Sequence, residues 1–184
     1  MRNIKLSMAL NNMKHLSFFI IVLLFISCKS NQALPTVENV DINKYVGTWY
    51  EIARFPNFFE KGLECVTAEY SLLESGKIKV VNKGHKTSDV SKINTAIGTA
   101  WVPDKNKTGQ LKVRFFWPFS GDYYIIALDS NYQSALVGDP SRKYLWVLNR
   151  ATTMNDSSYH KLLNIAHQNN FDTTLLMKVN QTCN

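Results

Sequence analysis

The run Tyr45-Val46-Gly47-Thr48-Trp49-Tyr50-Glu51-Ile52-Ala53-Arg54 reads as a glycine followed by a strand. Thr, Trp, Tyr and Ile favour a pleated, half-buried surface, and Gly47 permits close chain approach where the N-terminal segment enters the sheet. The same texture recurs downstream as far as Asn149, in short runs rich in β-branched and aromatic residues at spacings of about ten residues. Eight runs qualify: 48–54, 65–72, 78–84, 92–102, 111–117, 123–128, 134–138 and 144–149. Turn chemistry separates them, at Glu74-Ser75-Gly76, 103–109, Ser120-Gly121-Asp122, Asp129-Ser130-Asn131 and Gly138-Asp139-Pro140-Ser141. The spacing predicts an all-β sandwich or barrel.

Alternation assigns the faces. In the second run Val66, Ala68, Tyr70 and Leu72 share one side, with Cys65, Thr67, Glu69 and Ser71 on the other. The third sets Ile78, Val80 and Asn82 against Lys77, Lys79 and Lys83, and the eighth places Tyr144, Trp146 and Leu148 together. One face is therefore apolar and the other wet. Eight antiparallel strands closed on themselves enclose just enough room for side chains or one small ligand. Beyond the eighth run the period changes to that of a helix: Tyr159, Leu162, Leu163 and Ala166 form one stripe within 156–169, with Asn155 or Asp156 as N-cap. This helix is expected to pack on the outside of the barrel, and 174–180 to add a short ninth strand.

Ahead of the barrel, 16–26 is an almost purely apolar run behind a basic start, ending at Ser27-Cys28. It has the length of a signal peptide and is too short to span a bilayer. A small residue followed by cysteine resembles the lipobox of bacterial lipoproteins, although Phe25 stands where Leu is usual. The resemblance implies a diacylated Cys28 as mature N-terminus, giving 1–27 as signal peptide, 28–36 as lipidated tether and 37–184 as the folded domain. Two or more acyl chains suffice for stable anchoring. The formal charge of +7 falls to +4 once Arg2, Lys5 and Lys14 leave with the leader, and no basic run remains. Nucleic-acid binding needs a concentrated basic patch and is not expected.

Cys65 and Cys183 are then an even pair in an exported chain. One disulfide is the economical reading; the rival is a free Cys65 acting as nucleophile, for which no histidine or carboxylate has an activating relation in sequence. His15, His85, His160 and His167 fall at no metal-ligand spacing, so neither metal nor cofactor is expected. There is no Gly-x-Ser-x-Gly, phosphate-binding loop or set-apart carboxylate pair, and the chain is not expected to be an enzyme.

Three segments in order carry a family resemblance. Gly47-Thr48-Trp49 provides Gly-x-Trp, Ile126-Ala127-Leu128-Asp129-Ser130-Asn131-Tyr132 follows between the sixth and seventh strands, and Trp146-Val147-Leu148-Asn149-Arg150 closes the eighth. The chain resembles the lipocalins, and within them the bacterial outer-membrane lipoprotein and apolipoprotein D-like branches, over 36–182. The resemblance implies an eight-stranded up-and-down antiparallel β-barrel with a C-terminal α-helix outside. It implies barrel closure by Gly47, Trp49 and Arg150, the guanidinium stacked on the indole. From the apolipoprotein D branch it implies a Cys65–Cys183 disulfide.

The function implied is binding, storage or transport of lysophospholipids, fatty acids or other small hydrophobic molecules at the bacterial outer membrane, under envelope stress, through the Cys28 anchor. Expected ligand contacts are Val66, Ala68, Tyr70, Ile78, Val80, Phe115 and Trp146 inside, with Phe58 and Phe59 at the mouth. Tyr70, Asn82 and Trp146 are candidates to hold a polar head within apolar walls. Three other readings stand beside this one: an isomerase-like enzyme using a free Cys65, a secreted carrier of the apolipoprotein D kind, and a homodimer formed through Trp117 or other exposed aromatics.

Overall fold

The computed structural model describes residues 33–183. The signal peptide 1–27, Cys28 and most of the tether lie outside the described residues. The packed part begins at Leu34, which is buried, three residues ahead of the expected domain start.

A four-residue helix, α1 (Ile42–Tyr45), comes first, capped by the Asp41 side chain accepting from Asn43 N. Nine strands follow: β1 (Gly47–Arg54), β2 (Leu63–Leu72), β3 (Ile78–Lys86), β4 (Asp89–Trp101), β5 (Gln110–Phe116), β6 (Phe119–Leu128), β7 (Ser134–Gly138), β8 (Leu145–Asn149) and β9 (Met177–Lys178). All pairings are antiparallel between neighbours, and β1 pairs with both β8 and β2, so the sheet closes on itself as an eight-stranded up-and-down barrel. Beyond Tyr50, where β2 leaves β1, β9 takes the freed edge at Ala53 and Arg54. The C-terminal helix α2 (Asp156–Gln168) is N-capped by Asn155, whose side chain accepts from Ser158 N at 2.8 Å.

Several boundaries differ from expectation for local reasons. Strands β2, β3, β4 and β6 run further toward one end of the barrel than their alternation predicts, because a hairpin ladder continues through polar or bulky tips once its register is set. Strand β8 starts one residue late, since Lys143 N and Tyr144 N both donate to the Asp139 carboxylate at 2.9 Å and hold the preceding loop in a turn. The ninth strand shrinks to two residues because Asp172 caps a 3₁₀ turn over Thr173–Leu175.

Two apolar clusters form on opposite sides of the wall. The interior one unites Tyr45, Trp49, Tyr70, Ile78, Val80, Leu111, Ile125, Val137 and Leu148. The exterior one unites Ala53, Phe55, Ile126, Leu136, Leu145 and Val147 with Leu162 and Ala166 of α2 and with Phe171. The expected wet outer face therefore fails along β6–β8, where the helix covers the wall and both faces are apolar.

Of the register breaks in the sheet, two bear directly on the site. A bulge between Glu51 and Ala53 reverses the facing of β1, so that Trp49 and Glu51 point inward, Ala53 joins the helix side and Arg54 returns to the interior. A second break between Glu64 and Thr67 places Cys65 at φ +48°, bonded to Cys183.

Candidate functional site

The two ends of the barrel are built differently. At one end α1 and the N-terminal segment seal the interior. Trp49 is fully buried and its Nε1 donates to Tyr45 O at 2.8 Å. Arg150 lies with Cζ 3.9 Å from the centre of the indole ring. Its guanidinium donates to the carbonyls of Thr48, Lys44, Tyr45, Val46 and Tyr132. Four of those carbonyls end α1 and open β1, and Tyr132 belongs to the β6–β7 connection, so the cation both covers the indole and satisfies exposed chain ends. Gly47 sits at φ +98°, and a Cβ there would come within 3.2 Å of Arg150 Nη1. Strand register and facing thus bring Gly47, Trp49 and Arg150 into one plug.

Above the plug, the interior is mostly hydrocarbon. Val66, Tyr70, Ile78 and Val80 are buried, Ala68, Phe115 and Trp146 half-buried, and all but Val66 belong to or pack on the interior cluster. Val66 meets the position of a Cβ at Gly84, which continues the interior face of β3 toward the opposite end. Three phenols lie next to the plug inside the barrel: the Tyr123 hydroxyl is 2.7 Å from that of Tyr45 and 2.9 Å from that of Tyr70. Burial pushes all three pKa values well up, so the hydroxyls stay protonated. With three protons and two shared bonds, one O–H is left over for another acceptor.

Higher on the wall stands a charged cluster. Arg54 Nη1 is 2.6 Å from Glu51 Oε1, and its Nη2 donates to the carbonyls of Glu60 and Leu63 at 3.0 and 2.9 Å. The Glu60 carboxylate in turn accepts from Trp146 Nε1 at 3.1 Å and from the Asn57 amide. All three charged residues are buried. Burial, reinforced by the neighbouring Glu60, holds the Glu51 carboxyl well above its ordinary pKa even though Arg54 pulls the other way. The cluster pins the 55–62 loop to the wall from inside, since Arg54 grips the loop backbone at both Glu60 and Leu63. On β3, opposite Ala68 in the ladder, Asn82 presents a buried Oδ1 with no hydrogen-bond partner.

The far end is the mouth, formed by the 55–62 loop and the β3–β4, β5–β6 and β7–β8 connections. Phe59 packs near Tyr144 and Trp146 with ring centroids 5.7 and 6.4 Å away, while Phe58 lies edge-on to Phe59 and is 83% exposed. A cleft of about 260 Å³ bounded by Ile52, Met154, Tyr159 and Gln181 lies on the outer side of β1, separated from the interior by the wall. Cys65 is bonded to Cys183, which removes the free thiol that an isomerase-like reading requires. Among the described residues no three His, Cys, Asp or Glu side chains gather so as to hold a metal ion.

A family model described as a lipocalin-like domain matches residues 40–181. The chain belongs to the lipocalin family. The outer membrane lipoprotein Blc of Citrobacter freundii is 43% identical over 161 residues, covering 86% of this chain and 90% of that protein. Temperature-induced lipocalin-1 of Arabidopsis thaliana is 35% identical, with 81% and 83% covered, and apolipoprotein D of Macaca fascicularis is 35% identical, with 80% of each covered. Among solved structures, the cockroach allergen Per a 4 superposes with a TM-score of 0.63 at 27% identity, covering 80% of this chain and 93% of that one. Insecticyanin of the tobacco hornworm Manduca sexta gives 0.65 at 18% identity, with 80% and 84% covered, a likeness of fold.

For a lipocalin, the interior here holds more polarity than its sequence suggests. Neither alternation nor the family motifs single out Arg54, Glu60 or Tyr123. Glu51 and Arg54 lie within the opening strand, but a strict period of two from Trp49 turns Arg54 outward, and only the bulge brings it in. A signal was present in Glu51, which is two residues from Trp49 on the same face. Glu60 lies in a loop, where no period applies.

Proposed function

We propose that this lipocalin carries single-chain lipids, lysophospholipids or fatty acids, at the bacterial outer membrane, held there by a diacylated Cys28, and that it acts as a carrier without catalytic turnover. The unpartnered Asn82 Oδ1 on the interior face of β3 carries this reading. A buried acceptor without a partner costs roughly 1 to 3 kcal/mol, a cost that a ligand hydroxyl or protonated head would relieve. The spare tyrosine proton inside the barrel offers a complementary donor. A small number of polar groups in hydrocarbon walls is the composition that orients an amphiphile, and an eight-stranded barrel has room for one chain. The similarity to the outer membrane lipoprotein Blc supports the location, and the bonded Cys65 supports carriage over catalysis.

The test is mass spectrometry of lipid extracted from the protein purified out of bacterial membranes. The parent should bring one-chain amphiphiles in stoichiometric amount, and Asn82→Leu should keep the fold but shift the retained species toward lipids lacking a hydrogen-bonding head. A protein that retains no amphiphile from any preparation would sink the proposal. The same spectra report whether the mature chain begins at an acylated Cys28.

A further inference from the structure

Every exposed Phe or Trp among the described residues lies at the mouth of the barrel. Phe58 is 83% exposed, Phe116 78%, Trp117 82% and Phe119 78%, and Phe59 adds a partly covered ring. Among the described residues, the sealed end shows only Leu72 and Leu73 as large exposed apolar residues. The four open rings stand on the tips of two connections, the 55–62 loop and the β5–β6 hairpin, where Phe116 pairs with Phe119. Ladder register extends the patch down the outer wall. On β4, Ile97, which is 61% exposed, and Ile93, four residues further toward the mouth and on the same face, carry exposed apolar surface along the outer wall. Leaving this much aromatic surface in water is unfavourable, and nothing in the barrel core needs it.

The charge that meets solvent at this end is mainly positive. Lys61, Lys86 and Lys143 are exposed on the mouth connections. Of the acids there, Glu60 and Asp139 are buried and turned inward onto Trp146 Nε1 and onto the backbone N–H groups of Lys143 and Tyr144. Asp89 is engaged by Lys92 at 3.2 Å. Aromatic rings on protruding tips, with lysines beside them, match the interfacial layer of a bilayer bearing anionic headgroups. A second copy fits less well, since a symmetric mouth-to-mouth contact would set the lysines against their own images.

We propose that the mouth of the barrel docks on an anionic lipid bilayer through Phe58, Phe116, Trp117 and Phe119, with Lys61, Lys86 and Lys143 on the headgroups. The inference rests on the carrier reading: docked in this way, the interior opens directly onto the leaflet, and an acyl chain enters or leaves without crossing water.

Tryptophan depth quenching tests it. The protein purified from membranes is reconstituted into vesicles of phosphatidylglycerol and phosphatidylcholine whose acyl chains carry bromine, and its lipid content is measured on the same sample. Trp49, Trp101 and Trp146 sit inside the barrel or near its sealed end, so quenching should come mainly from Trp117. It should fall by about half or more in Trp117→Phe, a variant that keeps a ring at the rim, and weaken when phosphatidylglycerol is omitted. Equal quenching in parent and Trp117→Phe, or none in a parent that still retains lipid, overturns docking and leaves the carrier reading standing. A rim that cross-links to a second copy in place of being quenched also overturns it. Loss of retained lipid together with normal quenching counts against the carrier reading alone.

Discussion

The sealed end and the mouth are made from the same strands but answer opposite demands. At the sealed end each polar group near Trp49 has a partner: the indole N–H has Tyr45 O, and one guanidinium serves five carbonyls. At the mouth, rings stand in water, and on the wall below them two carboxylates share one buried arginine. A lipocalin barrel can be left frustrated at one end because the other end and the helix-covered wall hold it closed. The difference separates residues that stabilise the container from residues that give access to it.

Substitutions at the two ends should therefore differ in size and in kind. Trp49→Ala removes the largest fully buried side chain and uncovers Arg150, and should lower unfolding free energy by roughly 3 to 5 kcal/mol in a urea titration. A loss below about 1 kcal/mol would mean that the plug is not what closes the barrel. At the other end, Glu51→Gln should show itself in pH dependence. A carboxyl whose folded pKa lies above its unfolded value contributes stability that is fully present below the unfolded value and is lost as pH rises through the folded one. Because burial raises Glu51, the stability of Glu51→Gln relative to the parent should improve steadily as pH rises above about 4.5, with the urea midpoint as readout. A difference that stays flat from pH 4 to 8 would show that Arg54 compensates the buried charge completely. The smallest effect belongs to the rim. Phe58→Ser with Phe119→Ser should change stability by no more than about 0.5 kcal/mol, since both rings lie in solvent. A marked loss would reveal packing at the mouth and erase the contrast between the ends.

Much of the container is legible in the chain. The apolar sides of β2 and β3 follow a period of two, so the facing of Val66, Ala68, Tyr70, Ile78 and Val80 is visible in the residues themselves. The helical stripe through Leu162 and Ala166 and its Asn155 cap are legible for the same reason, being set by neighbours within a turn or two. Site polarity is less legible. Asn82 stands out as a polar residue on an apolar face, but its lack of a partner depends on every strand around it. Glu60 stands in a loop whose contacts with Arg54 and Trp146 no local pattern encodes. The wet outer face expected of β6–β8 fails because a segment far along the chain folds back over it.

Alternation, turn residues and the Gly47-Thr48-Trp49 opening by themselves determined that this chain forms strands that close into a barrel, and which side of most strands is greasy. Those are local properties, dictated by sterics and by the burial of alternate side chains. Only the tertiary structure decided that the bulge in β1 turns Arg54 inward, that the 55–62 loop is held from within, and that exposed aromatics of the 55–62 loop and the β5–β6 hairpin stand at the same end of the barrel. Each of these depends on pairing register between strands distant in the chain, and a shift of one residue in that register would send the same side chains to the opposite face.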